Sequence, residues 1–69
     1  MYREEGTLTT RQRQVMGLLA LGLSNREMAE MLYISRKTVE SHMASLRLLL
    51  GVDTVRQLIV VAARTAARS

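Results

Sequence analysis

The sequence predicts an all-α domain of four helices, and three observations lead to this fold class. Hydrophobic residues make up 48% of the chain and aromatic residues 3%. Leu, Met, Ile, Val and Ala must therefore build the core, and this set favours packed helices over a sheet. With 69 residues, the chain has room for a single core. Four Ser or Thr N-cap motifs, each followed by apolar residues at helical spacing, divide it into helices with short loops, as in a compact bundle.

Helix one is predicted over about 10–21. It begins at a capping box in which Thr9 is the N-cap and Gln12 supplies the returning side chain. Apolar residues then recur at helical spacing until Gly22, a residue that readily takes the left-handed conformation after a helix. The residues of its apolar face are Val15, Leu18 and Leu19.

Helix two is predicted over 25–32, behind a second capping box formed by Ser24 and Glu27. Its buried stripe is expected to contain Met28, Ala29 and Leu32. Because methionine adapts to irregular gaps, the internal methionines are expected to fill the core. They are Met16, Met28, Met31 and Met43.

Helix three is predicted over about 36–50, from the N-cap Ser35 to the terminating Gly51. Its apolar face is expected to consist of Val39, Met43, Leu46 and Leu50. Its solvent-facing positions are expected to be Arg36, Lys37, Glu40, Ser41, Ala44, Ser45 and Arg47.

Helix four is predicted from a Thr54–Gln57 capping box to about residue 66. It has too many apolar residues for one buried stripe. If Leu58, Val61 and Ala62 face the core, a second stripe is left uncovered, and such a stripe on a small domain usually marks an interface. This second stripe contains Val55, Ile59 and Ala63.

The net charge alone does not indicate an anionic partner. Basic residues indicate one only where they cluster on one element of the fold. Lys and Arg total 10 against 6 acidic residues, a net charge of +4 that could also serve solubility alone. The three-residue turn between helices two and three, with the small Ala29 on the first of them, meets the steric demand of a helix-turn-helix unit. Arg36 and Lys37 then oppose the dipole at the start of helix three, and a phosphate ligand would explain this placement.

These residues resemble the DNA-binding domain of the LuxR/FixJ/GerE type. The most specific segments are Ser24-Asn25-Arg26-Glu27-Met28-Ala29 and Ile34-Ser35-Arg36-Lys37-Thr38-Val39-Glu40-Ser41-His42, at the expected separation. The match runs without gaps from about residue 8 to residue 62. The resemblance implies a tetrahelical helix-turn-helix domain, the output module of a transcription regulator, with helix three in the major groove and helix four at a two-fold dimer contact.

The resemblance also assigns roles to individual positions. The positions that face base edges are Lys37, Glu40, Ser41 and Ala44. The positions suited to phosphate contact are Ser24, Asn25, Ser35, Arg36 and Thr38. The dimer contact of helix four is expected at the uncovered stripe of Val55, Ile59 and Ala63.

We therefore expect a sequence-specific DNA-binding domain over 8–66, with residues 1–7 as a linker and 67–69 as a tail. The expected partners are double-stranded DNA, a second copy of the chain and, on DNA, RNA polymerase. No cofactor or metal is expected, because the chain has no Cys and one His. No pattern of catalytic residues is visible, and the absence of a long apolar run or a secretory signal favours a cytoplasmic protein that does not span a membrane.

Two alternatives stay open at this point. One is the promoter-reading domain of a sigma factor, which shares part of the pattern. The other is a degenerate helix-turn-helix that serves protein interaction, since the reading face is poor in donors and unusually apolar. The residues that motivate this second alternative are Glu40, Ala44, Leu48 and Leu49.

Overall fold

The computed structural model describes residues 8–68, which form four α-helices and no strand. The helices are α1 (Thr10–Ala20), α2 (Asn25–Leu32), α3 (Arg36–Leu50) and α4 (Val55–Arg68). The predicted all-α fold is confirmed. The expected linker, residues 1–7, lies outside the described residues, as does the last residue of the expected tail.

Helix α4 continues beyond its predicted end near residue 66 and reaches Arg68. No glycine or proline stops it in this region, and Ala66 and Ala67 are strong helix formers.

The capping boxes form as the sequence predicts. At α1 the Gln12 amide donates to the Thr9 Oγ1 at 3.1 Å, and the Thr9 amide donates to the Gln12 Oε1 at 2.9 Å. The same reciprocal pairs form in the boxes Ser24–Glu27 (3.2 and 2.8 Å) and Thr54–Gln57 (3.1 and 3.2 Å). Local hydrogen bonds therefore anchor the N-termini of all four helices, through capping boxes at α1, α2 and α4 and through the Ser35 cap at α3.

Left-handed residues end α3 and reverse the chain after α1. Gly51, with φ 69°, is the C-cap of α3, and Gly22, with φ 85°, follows the C-cap Leu21 of α1. Because neither glycine has a Cβ, the chain reverses there at little steric cost.

The core lies between α1, α3 and α4, with α2 packed mainly on α3. Its buried residues are Val15, Met16, Leu19, Met28, Ala29, Val39, Met43, Leu46, Leu58 and Ala62. The predicted stripes supply most of this core. Val61, Leu32 and Leu50 pack against its edge and are partly buried.

The expectation that Met31 fills the core is wrong, because 59% of it is exposed. The short α2 packs mainly on α3, so it buries one stripe, which Met28 and Ala29 occupy. Met31 lies on the flank of that stripe, beside Leu21 and Leu18 of α1.

No helix in residues 8–68 is both long and apolar enough to cross a membrane.

Candidate nucleic-acid interface

The N-terminus of α3 presents cations and free amides to solvent. Ser35 caps it, since the Ser35 Oγ accepts from the Thr38 amide at 3.0 Å and lies 2.9 Å from the Thr38 Oγ1. Arg36 and Lys37 follow, and both side chains are exposed. Amides in the first turn of a helix have no intrahelical acceptor, and no acidic residue lies in this turn. This end of α3 is therefore suited to bind an anion.

The outer face of α3 carries the positions assigned to base reading. Lys37, Glu40 and Ser41 are exposed, and their spacing of three and four residues places them on one side of the helix. Val39, Met43 and Leu46 occupy the opposite side, where they are buried in the core. One face of α3 is thus packed into the core, and the side chains of the opposite face are exposed to solvent.

Two positions expected to face solvent on α3 are only half-exposed. Ala44 and Arg47 are both partly buried, and with Val52 and Asp53 they line a depression beside Leu48. The loop after α3 causes this, because the Val52 amide donates to the Arg47 carbonyl at 3.0 Å and brings the loop against the helix. The Nε of Arg47 is buried and has no hydrogen-bond partner within residues 8–68.

The N-terminus of α2 offers a weaker anion site than that of α3. Ser24 is exposed and Asn25 half-buried, but the Glu27 carboxylate already lies at this end of the helix. Hydrogen bonds from the backbone and side chain of Ser24 lower the pKa of Glu27 below its ordinary value of 4.5. The carboxylate is therefore charged at neutral pH and offsets the positive end of the α2 dipole.

The structure places all five residues assigned to phosphate contact at these two helix starts. They are Ser24, Asn25, Ser35, Arg36 and Thr38. The hydroxyls of Ser24 and Ser35 accept from backbone amides. A hydroxyl has one hydrogen to donate, and one member of the pair Ser35 and Thr38 donates it to the other, so this pair keeps one donor for an external anion.

The apolar stripe of α4 is accessible at the surface. Val55 is 41% exposed and Ile59 is 40% exposed, and Ala63 is exposed as well. Val60 was not assigned to this stripe and is 44% exposed on a different side of the helix. Leu58 and Ala62 are buried, so the separation of α4 into an inner and an outer apolar stripe agrees with the sequence prediction.

Tyr33 lies in the turn between α2 and α3 and is not among the site residues that the sequence predicts. In the structure this residue is 94% exposed and takes the left-handed conformation, with φ 56° and ψ 44°. The signal for it in the sequence is its position two residues before Ser35, the N-cap of α3. Its exposure depends on the turn geometry, which spacing alone does not specify.

Elsewhere on the surface of residues 8–68 there is a cavity, but no cluster of metal-ligating side chains. A cavity of about 500 Å³ between α1 and α4 is lined mainly by apolar residues together with Arg13 and Thr65. Within residues 8–68, no three His, Asp or Glu side chains come together where they could hold a metal ion. The chemistry that this surface supports is the binding of anions at the starts of α2 and α3.

Comparison with known proteins gives one family and several relatives. The model of the family described as bacterial regulatory proteins, luxR family, matches residues 6–62. The transcriptional regulatory protein MctR of Rhizobium johnstonii is 45% identical over 58 residues, which are 81% of this chain and 27% of MctR. The response regulatory protein YgeK of Escherichia coli is 38% identical over 63 residues, or 91% of this chain and 43% of YgeK. The oxygen regulatory protein NreC of Staphylococcus aureus is 36% identical over 52 residues, or 75% of this chain and 24% of NreC. The chain thus spans less than half the length of each of these relatives.

Proposed function

Because the chain belongs to the luxR family of bacterial regulatory proteins, we propose that it binds double-stranded DNA sequence-specifically, with α3 in the major groove. It would act as the DNA-binding output unit of a transcription regulator. The match to a family of regulators favours this function over the sigma-factor alternative.

The observation that carries the proposal is the two-sided character of α3. Its inner face is fixed by the buried residues Val39 and Leu46, and its outer face begins with the exposed cations Arg36 and Lys37. A helix that is anchored on one side and basic at its N-terminus is the element that a helix-turn-helix unit inserts into the major groove.

Phosphate contact would fix the position of α3 on the duplex. Arg36 would form charge-assisted hydrogen bonds with phosphate oxygens, and the free amides at the start of α3 would add to them. One hydroxyl of the pair Ser35 and Thr38, which are hydrogen-bonded to each other, would donate to a phosphate as well, and Ser24 and Asn25 would lie beside the strand at the start of α2. These contacts set register and carry no sequence information.

Base reading would fall to the exposed face that follows. Lys37 can donate to guanine, Glu40 can accept from the cytosine amino group, and Ser41 can pair with either kind of edge. The methyl group of Ala44 would provide apolar contact, for which thymine is the matching base.

The chain would bind as a homodimer through α4. Val55, Ile59 and Ala63 form an apolar stripe that can meet the same stripe of a second copy across a two-fold axis. A contact between two helix faces buries well under ~1,200 Å², so the dimer would be weak in solution and DNA would stabilise it. On DNA, RNA polymerase is the expected further partner.

The test is a titration of the chain with duplex DNA selected from a random pool, repeated over a range of salt concentrations. Binding through phosphates requires the logarithm of the affinity to fall linearly with the logarithm of the salt concentration. The selected sites should contain two half-sites. If the chain does not bind the selected DNA at low salt, the proposal is wrong.

One observation favours a second candidate, a module for protein interaction. Leu48 is 84% exposed and Leu49 is 49% exposed near the end of α3. Two adjacent exposed leucines can form part of a protein contact. Under this candidate the chain would not bind DNA, so the same titration separates the two functions.

A further inference from the structure

Packing within residues 8–68 does not explain why residue 33 is a tyrosine, because this side chain is not part of the core. Among the large hydrophobic residues of 8–68 it has the highest exposed fraction, 94%, so its ring makes little packing contact. It is also the non-glycine residue in this range with a positive φ, at 56°. The left-handed conformation is unfavourable for a residue with a Cβ, and Gly or Asn would adopt it more easily. Strained positions that persist are often functional sites.

The turn between α2 and α3 fixes the place from which Tyr33 projects. The Tyr33 amide donates to the Glu30 carbonyl at 3.4 Å, and the next amide, of Ile34, donates to the Ala29 carbonyl at 3.1 Å. The Ile34 side chain packs against the core, and Ser35 then caps α3. The backbone is therefore held on both sides of Tyr33, while its side chain lies in solvent.

This place is beside the start of α3. Arg36 is the third residue after Tyr33, so their Cα atoms are within about 11 Å of each other even if the chain is fully extended. Arg36 and Lys37 are exposed there, and no acidic residue lies in the first turn of α3. A DNA strand held by these two cations would therefore run next to Tyr33.

We infer that Tyr33 is a further contact to the DNA backbone, with its hydroxyl donating to a phosphate oxygen and its ring packing on the neighbouring deoxyribose. The inference rests on the proposed DNA-binding function. Tyrosine suits this place because it combines an apolar ring with a polar tip. Tyrosine is also among the side chains that hydrogen-bond to DNA phosphates. Since the side chain is neutral, it adds affinity without releasing counterions.

The decisive variant is Tyr33→Gly, because stability and binding should change in opposite directions. Glycine relieves the left-handed backbone, so the Tm should rise by about 4 °C. The loss of one hydrogen bond and its packing should lower DNA affinity about fivefold. The loss should be equal on selected and unrelated DNA, and the salt dependence should be unchanged.

Two further variants separate the contributions. Tyr33→Phe keeps the ring and removes the hydroxyl, so its affinity should lie between those of the wild type and Tyr33→Gly. Leu21→Ala is the matched control, because Leu21 is 75% exposed at the C-cap of α1. It removes an exposed apolar side chain elsewhere and should leave DNA binding as it is.

Several outcomes would overturn the inference. If Tyr33→Gly raises the Tm and leaves DNA affinity unchanged, the tyrosine does not contact DNA. A loss on one sequence alone would mean that it reads a base and not the backbone. If the wild type binds DNA and the Tyr33 variants bind it with the same affinity, this inference fails while the proposed function stands. If the wild type does not bind DNA, both fail. Should Tyr33→Gly unfold, as circular dichroism would show, Tyr33→Asn and Tyr33→Phe decide the question in its place.

Discussion

At the scale of single residues, the outer face of α3 combines both signs of charge within one turn. Arg36 and Lys37 open the helix, and the exposed Glu40 follows directly behind them. A carboxylate is repelled by phosphates, so Glu40 can be tolerated in a DNA complex only where it meets a donor. In the major groove the cytosine amino group is such a donor. We therefore expect Arg36 to position the helix, and Lys37 and Glu40 to contribute to sequence preference.

Replacing both Arg36 and Lys37 by Ala should weaken binding to unrelated DNA through the lost phosphate contact of Arg36, and should weaken binding to specific DNA further through the lost base contact of Lys37. The slope of affinity against salt should fall by about one unit per lost phosphate contact. Fluorescence anisotropy over a salt series measures both effects. The matched control is the double variant Arg13→Ala with Arg64→Ala, which removes the same charge from exposed positions on α1 and α4. If the two double variants behave alike, the loss reflects net charge and the anchoring role is wrong.

Glu40→Lys should change sequence preference at one base pair, towards guanine. The expected discrimination is ~1–3 kcal/mol, because the acceptor that pairs with cytosine is replaced by a donor that pairs with guanine. Selection of bound sites with wild type and variant measures it. Ser45→Lys is the control, since it adds a positive charge at another exposed position of α3. A uniform gain in affinity with unchanged preference would show that residue 40 faces the backbone.

At the scale of helices, α2 and α3 differ in how their N-termini are satisfied. In α2 the Glu27 carboxylate accepts from the Ser24 amide at 2.8 Å and brings a negative charge to the helix start. In α3 the cap consists of Ser35 and Thr38, and neither brings a negative charge. The start of α2 is thus stabilised within the chain, whereas the start of α3 is left for an external anion. This difference explains why α3 is the stronger candidate for DNA contact.

The capping box of α2 predicts a loss of stability in acid. The hydrogen bonds from Ser24 lower the pKa of Glu27 in the folded state below 4.5. Their stabilising effect is therefore complete above pH 4.5 and is lost as the pH falls through the lowered pKa. Glu27→Gln keeps the box without the titrating group, so its Tm should fall less than that of the wild type between pH 5 and pH 3, as measured by circular dichroism.

The capping box of α1 offers a matched comparison. Gln12 already occupies the equivalent position there, with its Oε1 2.9 Å from the Thr9 amide. Gln12→Glu should therefore introduce an acid-sensitive step of the same kind and steepen the fall of the Tm. Identical pH dependence in the wild type and both variants would contradict the role assigned to the Glu27 carboxylate.

At the scale of the whole molecule, the size of the domain favours binding in pairs. Its extents are 30 × 23 × 23 Å. Half-sites in equivalent faces of the duplex lie about 34 Å apart, so one copy with one α3 cannot read two of them. The exposed stripe of α4 provides a surface through which a second copy can bind. Dimerisation and two-half-site recognition would thus depend on the same residues.

Ile59→Glu should leave the monomer folded and abolish cooperative binding to a site with two half-sites. Ile59 is 40% exposed, so a carboxylate there can reach water in the monomer but would be buried in the dimer. Circular dichroism reports the fold, and sedimentation with gel shifts reports assembly. Val60→Glu is the control, because Val60 is 44% exposed and lies outside the stripe. It should bind both half-sites as the wild type does.

Two results would reject the α4 dimer. Unfolding of the Ile59→Glu variant would mean that residue 59 belongs to the core. Retained cooperativity in a folded variant would place the dimer contact on another surface, and the exposed Leu48 and Leu49 would be the next candidates.

The sequence by itself determined the four helices and nearly all of their ends. The reason is that capping is local: Thr9 and Gln12, or Ser24 and Glu27, are three residues apart, and their hydrogen bonds depend on nothing distant. The buried stripes also follow from helical periodicity, which is again a local property. The same spacing predicted that Lys37, Glu40 and Ser41 share the outer face of α3, whereas Ala44 and Arg47, which were expected there, are half-buried. Their roles on DNA stay predictions.

The tertiary structure decided which flanks of these helices are covered. Met31 is exposed because it lies on the flank of the α2 stripe that packs on α3, and Arg47 is half-buried because the loop after α3 folds back onto it. The exposure of Tyr33 follows from a turn whose hydrogen bonds reach back to Ala29 and Glu30. Burial on a flank depends on which neighbour lies there and how closely it approaches. The spacing of residues along one helix does not contain that information.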